Sequence, residues 1–229
     1  MCEVYAMKYP DNYIDTIIQG DCLKVMKGIP DGSIDLTLTS PPFKDEDIGL
    51  KENDSTYRIA RPENRKAYLD WLEDVLLELN RISKIVIMFN SSTRLVDICK
   101  RFNPYRVLIW NKKRTEQPYR YEPIFVWNNS DEKINKYIWN DCFSYLPVLK
   151  QVVPYENPVE LYYNILKMFK NAKIVLDPFM GSGTTALAAK KLRKHYVGIE
   201  ISSRKIEIAN KRIANVPSSL ETWSMEVIQ

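Results

Sequence analysis

The chain has 229 residues, 45% hydrophobic and 27% charged, with 13 Pro and only 7 Gly. This predicts one domain, residues 1–229, with a large core, and excludes a disordered tail, a fibre or a low-complexity chain. A net charge of +4 allows a polyanionic partner without demanding one, and runs such as Ile85 to Phe89 and Val107 to Trp110 are far shorter than the ~18–20 residues of a membrane span.

Short β-rich runs alternate with helical patterns along the chain. Asp15 to Gly20 predicts a strand, Cys22 to Gly28 a helix, Pro30 to Gly32 a turn and Ser33 to Thr39 a second strand, stopped by Pro41 and Pro42. An acidic stretch with Asp45, Glu46, Asp47, Glu52 and Asp54 reads as a loop. Tyr68, Leu69, Leu72, Val75, Leu76 and Leu79 then repeat at helical spacing. Lys84 to Phe89 is a strand, Thr93 to Phe102 a helix, and Tyr105 to Trp110 and Ile124 to Trp127 are strands. Asn128 to Pro154 lacks periodicity and reads as a long connection. Val159 to Phe169 is helical, Lys173 to Leu176 a strand, Thr184 to Lys194 a helix, Tyr196 to Ile199 a strand and Arg204 to Asn215 a helix. This alternation predicts an α/β sheet with helices on both faces and ligands at the carboxyl ends of the strands.

Cys2, Cys22, Cys99 and Cys142 form no Cys-x-x-Cys pair and His195 is the only histidine, which argues against a zinc site, a disulfide framework and a hydrolase triad. No metal or membrane partner is expected. Met1 to Pro10 carries no export pattern, so the expected location is cytoplasmic.

Two segments carry chemistry. Lys173 to Ala186 reads as a strand, a glycine turn and a helix start. Gly181 and Gly183 open conformations closed to other residues and let the backbone approach a ligand, while helix-start amides face an anionic group. Glu200 ends the next strand, 17 residues after Gly183, where a carboxylate can accept both hydroxyls of a ribose. Gly181-x-Gly183-x-x-Ala186 also fits the dinucleotide fingerprint, so an NAD-type oxidoreductase stays open on the turn alone. The second segment, Thr39-Ser-Pro-Pro-Phe43, stands at a strand end. Pro41 and Pro42 hold nearby carbonyls stiffly, Ser40 adds a hydroxyl acceptor and Phe43 a flat apolar face. That set suits a planar ring bearing an exocyclic amine.

Together, Gly20-Asp-Cys-Leu23, Thr39-Ser-Pro-Pro-Phe43, Tyr121-Glu-Pro123, Asp177-Pro-Phe-Met-Gly-Ser-Gly-Thr-Thr185 and Gly198-Ile-Glu200 resemble the DNA amino-methyltransferases of the permuted (beta) class, in that family's order. The resemblance implies a Rossmann-like S-adenosyl-L-methionine-dependent methyltransferase fold. Its sheet would be seven-stranded and mixed, mostly parallel, with circularly permuted motif order. By the same resemblance, Asp177, Pro178, Phe179, Gly181, Ser182 and Gly183 surround the methionine part of the cofactor, with Thr184 near its carboxylate. Glu200 holds its ribose, Asp21 and Cys22 border its adenine, and Ser40, Pro41, Pro42 and Phe43 take the target base. The family's usual His-Pro segment is replaced here by Tyr155-Glu-Asn-Pro158. Ser-Pro-Pro resembles the enzymes acting on cytosine N4, against Asp-Pro-Pro or Asn-Pro-Pro for adenine N6, which is the alternative target.

Either target atom lies inside a duplex and must be flipped out. Double-stranded DNA is therefore the expected partner. From Lys100 to Arg120 seven basic residues face a single acid, Glu116, and Lys112, Lys113, Arg114 and Arg120 are candidate phosphate contacts, with Tyr119 or Tyr121 packing along a flipped base. Residues 45–64 and 128–154 are the candidate DNA-recognition insertions. Homodimers occur in the resembled family, and a cognate restriction endonuclease is a further expected partner. A DNA-binding subunit without catalysis is the remaining alternative.

Overall fold

In the computed structural model, which describes residues 8–42, 65–113, 120–130, 140–153 and 155–216, eight strands form one sheet. They are β1 (Thr16–Gln19), β2 (Ile34–Thr39), β3 (Ser83–Phe89), β4 (Arg106–Asn111), β5 (Tyr121–Asn128), β6 (Cys142–Ser144), β7 (Ile174–Asp177) and β8 (His195–Glu200). Their order is β1-β8-β7-β2-β3-β5-β4-β6, and among the described residues only β5 runs against its neighbours. Among the described residues six α-helices accompany them: α1 (Cys22–Met26), α2 (Arg65–Ile82), α3 (Leu95–Phe102), α4 (Val159–Lys167), α5 (Thr184–Lys191) and α6 (Ser203–Ala214).

The sheet separates two cores. Against one face α1, α2 and α3 pack Val25, Met26, Leu72, Val75, Leu79 and Ile98 onto Ile34, Val86, Met88 and Leu176. Against the other, α4, α5 and α6 pack Leu161, Ile165, Ala188 and Ala209 onto Leu36, Leu38, Ile87 and Val175. Covering both faces is why β2 and β7 are almost wholly buried instead of alternating. The i, i+3, i+4 pattern of α2 buries Tyr68, Leu72, Val75, Leu76, Leu79 and Ile82, each contributing roughly 1.5–3 kcal/mol as an upper bound. Its polar side is tied to α3 by Arg101, which bonds Asp70 at 2.7 Å and Glu73 at 2.5 Å.

The expected seven strands become eight. Part of 128–154, read as a long connection, supplies β6 as an edge strand parallel to β4. Its three residues bury one side chain, Phe143, between two exposed ones, too short a run for a period-2 signal. Trp110 Nε1 also donates to the carbonyl of Tyr145 at 2.9 Å, so this segment extends the sheet. Residues 45–64 lie outside the described residues.

Crossovers leave β7 toward β8 through α5 and leave β2 toward β3 through α2, on opposite faces. The gap between the carboxyl ends of β7 and β2 is therefore a topological switch point, where an open α/β sheet has a crevice.

Candidate functional site

Four neighbouring strands, β1, β8, β7 and β2, end at one rim, and the segments singled out in the sequence follow them. Gly20 and Asp21 leave β1, Glu200 closes β8, Asp177 closes β7 and Ser40 follows β2. At the switch point, Thr39 Oγ1 donates to Asp177 Oδ1 at 2.7 Å, across 138 residues of sequence. Thr185 Oγ1 donates to Asp177 Oδ2 at 2.5 Å and, more weakly, to the carbonyl of Leu38 at 3.3 Å. One buried carboxylate thus locks the Ser-Pro-Pro loop to the glycine turn.

Asp177 is 4% exposed, and burial pushes its carboxyl up to about 6, restrained by the donors Thr185, Thr39 and the Phe179 amide. Glu200, 7% exposed, accepts from the Gly181 amide at 2.9 Å through Oε2 and from the Ser202 amide at 3.0 Å through Oε1. It thereby pins the glycine turn to the end of β8, supported by Met180 N–H donating to the carbonyl of Ile199 at 2.9 Å. Gly181 and Gly183 have φ of +53° and +87°. Their roles differ. A Cβ on Gly181 would meet nothing nearer than 3.8 Å, whereas one on Gly183 would lie 3.1 Å from Cβ of Ala209 on α6. Glycine at 183 serves close packing of α6 on the turn, where the sequence suggested only approach to a ligand.

Asp21 caps α1, accepting from the Lys24 amide at 3.2 Å. Cys22 is buried and desolvation pushes its thiol up to about 12, so it packs beside the rim without thiolate chemistry. Ser40 and Pro42 are half-buried and Pro41 buried. Phe43, Arg114 and Tyr119 lie outside the described residues.

β4 ends, and antiparallel β5 begins, at this same rim, which brings Lys112, Lys113 and Arg120 to it. Lys113 and Arg120 are exposed there, as is Tyr121 at 37%. Lys112 is half-buried and lies 2.6 Å from Glu122, so a phosphate would compete with that carboxylate. Among the described residues no group of three or more His, Cys, Asp or Glu could hold a metal ion, and no helix is long and apolar enough to cross a membrane.

Thr39 and Thr185 stand inside the two motifs without an individual role in them; the signal for Thr185 is a threonine eight residues after Asp177, at the second position of α5. Trp71, whose ring lies 5.6 Å from that of Phe179, and Arg212, whose Nη1 donates to the carbonyl of Ser182 at 2.9 Å, carried no local signal.

The donor set fits a zwitterion joined to a ribose. Uncapped amides open α5 for a carboxylate, buried Asp177 can meet a cation, and Glu200 can accept hydroxyls.

Residues 34–211 match the DNA methylase family N6_N4_Mtase. The chain is 26% identical to the type II methyltransferase M.HinfI of Haemophilus influenzae, over 95% of this chain and 74% of that protein. It is 24% identical to the type II methyltransferase M.BglII of Bacillus subtilis, over 91% of this chain and 71% of that one. Its fold is similar to TTHA0409 of Thermus thermophilus complexed with S-adenosyl-L-methionine, with TM-score 0.63, 20% identity and coverage of 86% of this chain and 94% of that one. It is similar also to the PvuII DNA methyltransferase (cytosine-N4-specific), with TM-score 0.64, 16% identity and coverage of 93% and 89%. Because the family match contains the Ser40 loop, the glycine turn and Glu200, the turn needs no oxidoreductase explanation, and the chain belongs to the DNA methylase family.

Proposed function

We propose that the protein transfers a methyl group from S-adenosyl-L-methionine to the N4 amine of a cytosine flipped out of double-stranded DNA. The observation that carries this reading is the Thr39–Asp177 hydrogen bond, which holds the Ser-Pro-Pro loop and the glycine turn side by side at the switch point. S-adenosyl-L-methionine supplies an electrophilic methyl on a sulfonium. Asp177 and the opening amides of α5 take its amino acid end, Glu200 its ribose, and Asp21 with Cys22 border the adenine.

Ser40 Oγ and a prolyl carbonyl of Pro41 or Pro42 accept the two amine hydrogens of the target base. The amine's lone pair, otherwise delocalised into the ring, is then free for in-line attack. The N4–CH3 bond forms as the S–CH3 bond breaks, and the amine proton leaves afterwards to solvent, since a serine hydroxyl is too weak a base to remove it first. Ser40 at the head of the loop favours cytosine N4. Lys113 and Arg120 on the adjacent hairpin supply phosphate contacts.

Nucleoside mass spectrometry of DNA from a methylation-free host expressing the protein tests the reading, with Ser40→Ala alongside. N4-methylcytosine is expected with the intact chain and at least tenfold less with the variant, the loss of one hydrogen bond made in the transition state. N6-methyladenine instead would keep the reaction and overturn the target, and no modified base would overturn both.

A further inference from the structure

A turn built of two left-handed glycines holds its own shape poorly, because glycine has more backbone freedom than any other residue. The turn at 181–183 must therefore be held from outside, and Glu200 does so on one side, accepting from the Gly181 amide. On its other side stands Arg212 of α6, a residue just beyond the family match and outside every motif. Its Nη1 donates to the carbonyl of Ser182 at 2.9 Å, while its Nη2 lies 2.5 Å from Glu156 Oε1.

Glu156 belongs to the Tyr155-Glu-Asn-Pro158 segment that stands where the resembled family has His-Pro. Its side chain is 4% exposed, a position in which a carboxylate persists only when paired and hydrogen-bonded. Both oxygens are used, Oε1 by Arg212 and Oε2 by the Val152 amide at 3.0 Å. The next residue completes the link, Thr184 Oγ1 donating to the carbonyl of Asn157 at 3.4 Å. Helix α6 is already against the turn through Ala209 and Gly183.

From this geometry we infer that Arg212 and Glu156 are a positioning pair that fixes the glycine turn in its cofactor-receiving shape and joins it to the segment entering α4. The guanidinium fork is essential, since it reaches two acceptors at once where an ammonium offers a single point charge. This inference rests on the proposed use of S-adenosyl-L-methionine. It is independent of which base is methylated.

Binding calorimetry with S-adenosyl-L-methionine, paired with thermal melting, tests it on the full chain. Arg212→Lys keeps a cation beside Glu156 but gives up the Ser182 bond, so its Kd should rise about tenfold with little change in melting point. Arg212→Gln leaves Glu156 buried and unpaired, and should lose both melting temperature and affinity. Adding Glu156→Gln to it should restore the melting point while the Kd stays raised. A double variant that recovers affinity together with melting point, or a folded Arg212→Lys protein with Kd within about twofold of wild type, would overturn the inference, because a purely structural pair predicts either. A wild-type chain that binds no S-adenosyl-L-methionine would instead overturn the cofactor reading beneath it.

Discussion

Asp177 concentrates the chemistry of the site in one side chain. Its folded value of about 6 stands above the ~3.9 of an unfolded aspartate, so the folded state holds more protons between those limits. The stability this group contributes is therefore complete below pH 4 and lost as pH rises through 6, about 3 kcal/mol in all. Asp177→Asn should flatten that part of the pH–stability profile in denaturant titrations. The substitution is tolerable, since Thr185 can turn its hydroxyl to Leu38 and accept from the new amide. Cofactor affinity should move the other way. In the proposed site an ionised Asp177 would attract the cationic end of S-adenosyl-L-methionine, so affinity is expected to rise from pH 5 to 7.5 in wild type and stay level in the Asn variant; parallel curves for the two would remove Asp177 from the cofactor site. The two glycines separate similarly. Gly183→Ala drives a Cβ against Ala209 and should cost both stability and binding, whereas Gly181→Ala makes only an ordinary contact with the Phe179 carbonyl at 3.8 Å and should cost about 1–2 kcal/mol of stability from its φ alone. Comparing melting points of the two variants decides this.

At the scale of elements, what the sequence made legible was whatever repeats. The i, i+3, i+4 pattern of α2 and the apolar runs of β2, β3, β7 and β8 carry several buried residues each, and all appear where expected. Segment order along the chain likewise pointed to Ser40, Asp177 and Glu200 as strand-end residues. β6 could not be read that way, because one buried Phe143 makes no pattern. Nor could Arg212 and Glu156, whose pairing depends on how α6 docks and not on any spacing. Phe143 is 2% exposed at the end of the sheet remote from β1, β8 and β7. Phe143→Ala should therefore lower unfolding free energy by about 3–5 kcal/mol and leave cofactor affinity within twofold. An equal loss of affinity would mean that the edge strand, and not the four-strand rim alone, shapes the site.

For the whole molecule, the proposed function has one small sheet serve two ligands across the switch between β7 and β2. The glycine turn, Glu200 and Asp21 leave β7, β8 and β1 on one side of the crevice, and the Ser-Pro-Pro loop leaves β2 at its boundary. The strands continuing beyond β2 carry the basic hairpin to the same rim, since β4 ends and β5 begins there. A duplex laid across that rim would meet Lys113 and Arg120 while a flipped base reached Ser40. Net charge is only +4, so DNA affinity must come from such local contacts more than from the molecule's overall field. Each phosphate contact releases condensed counterions and adds about 0.9 to the slope of log affinity against log salt. Lys113→Ala with Arg120→Ala should therefore shrink that slope by about 2, read by fluorescence anisotropy of a labelled duplex across a salt series. Lys112→Ala is the control at the same hairpin. Its charge is already taken by Glu122, so it should leave the slope unchanged. A double variant with the wild-type slope would move the DNA path off this hairpin.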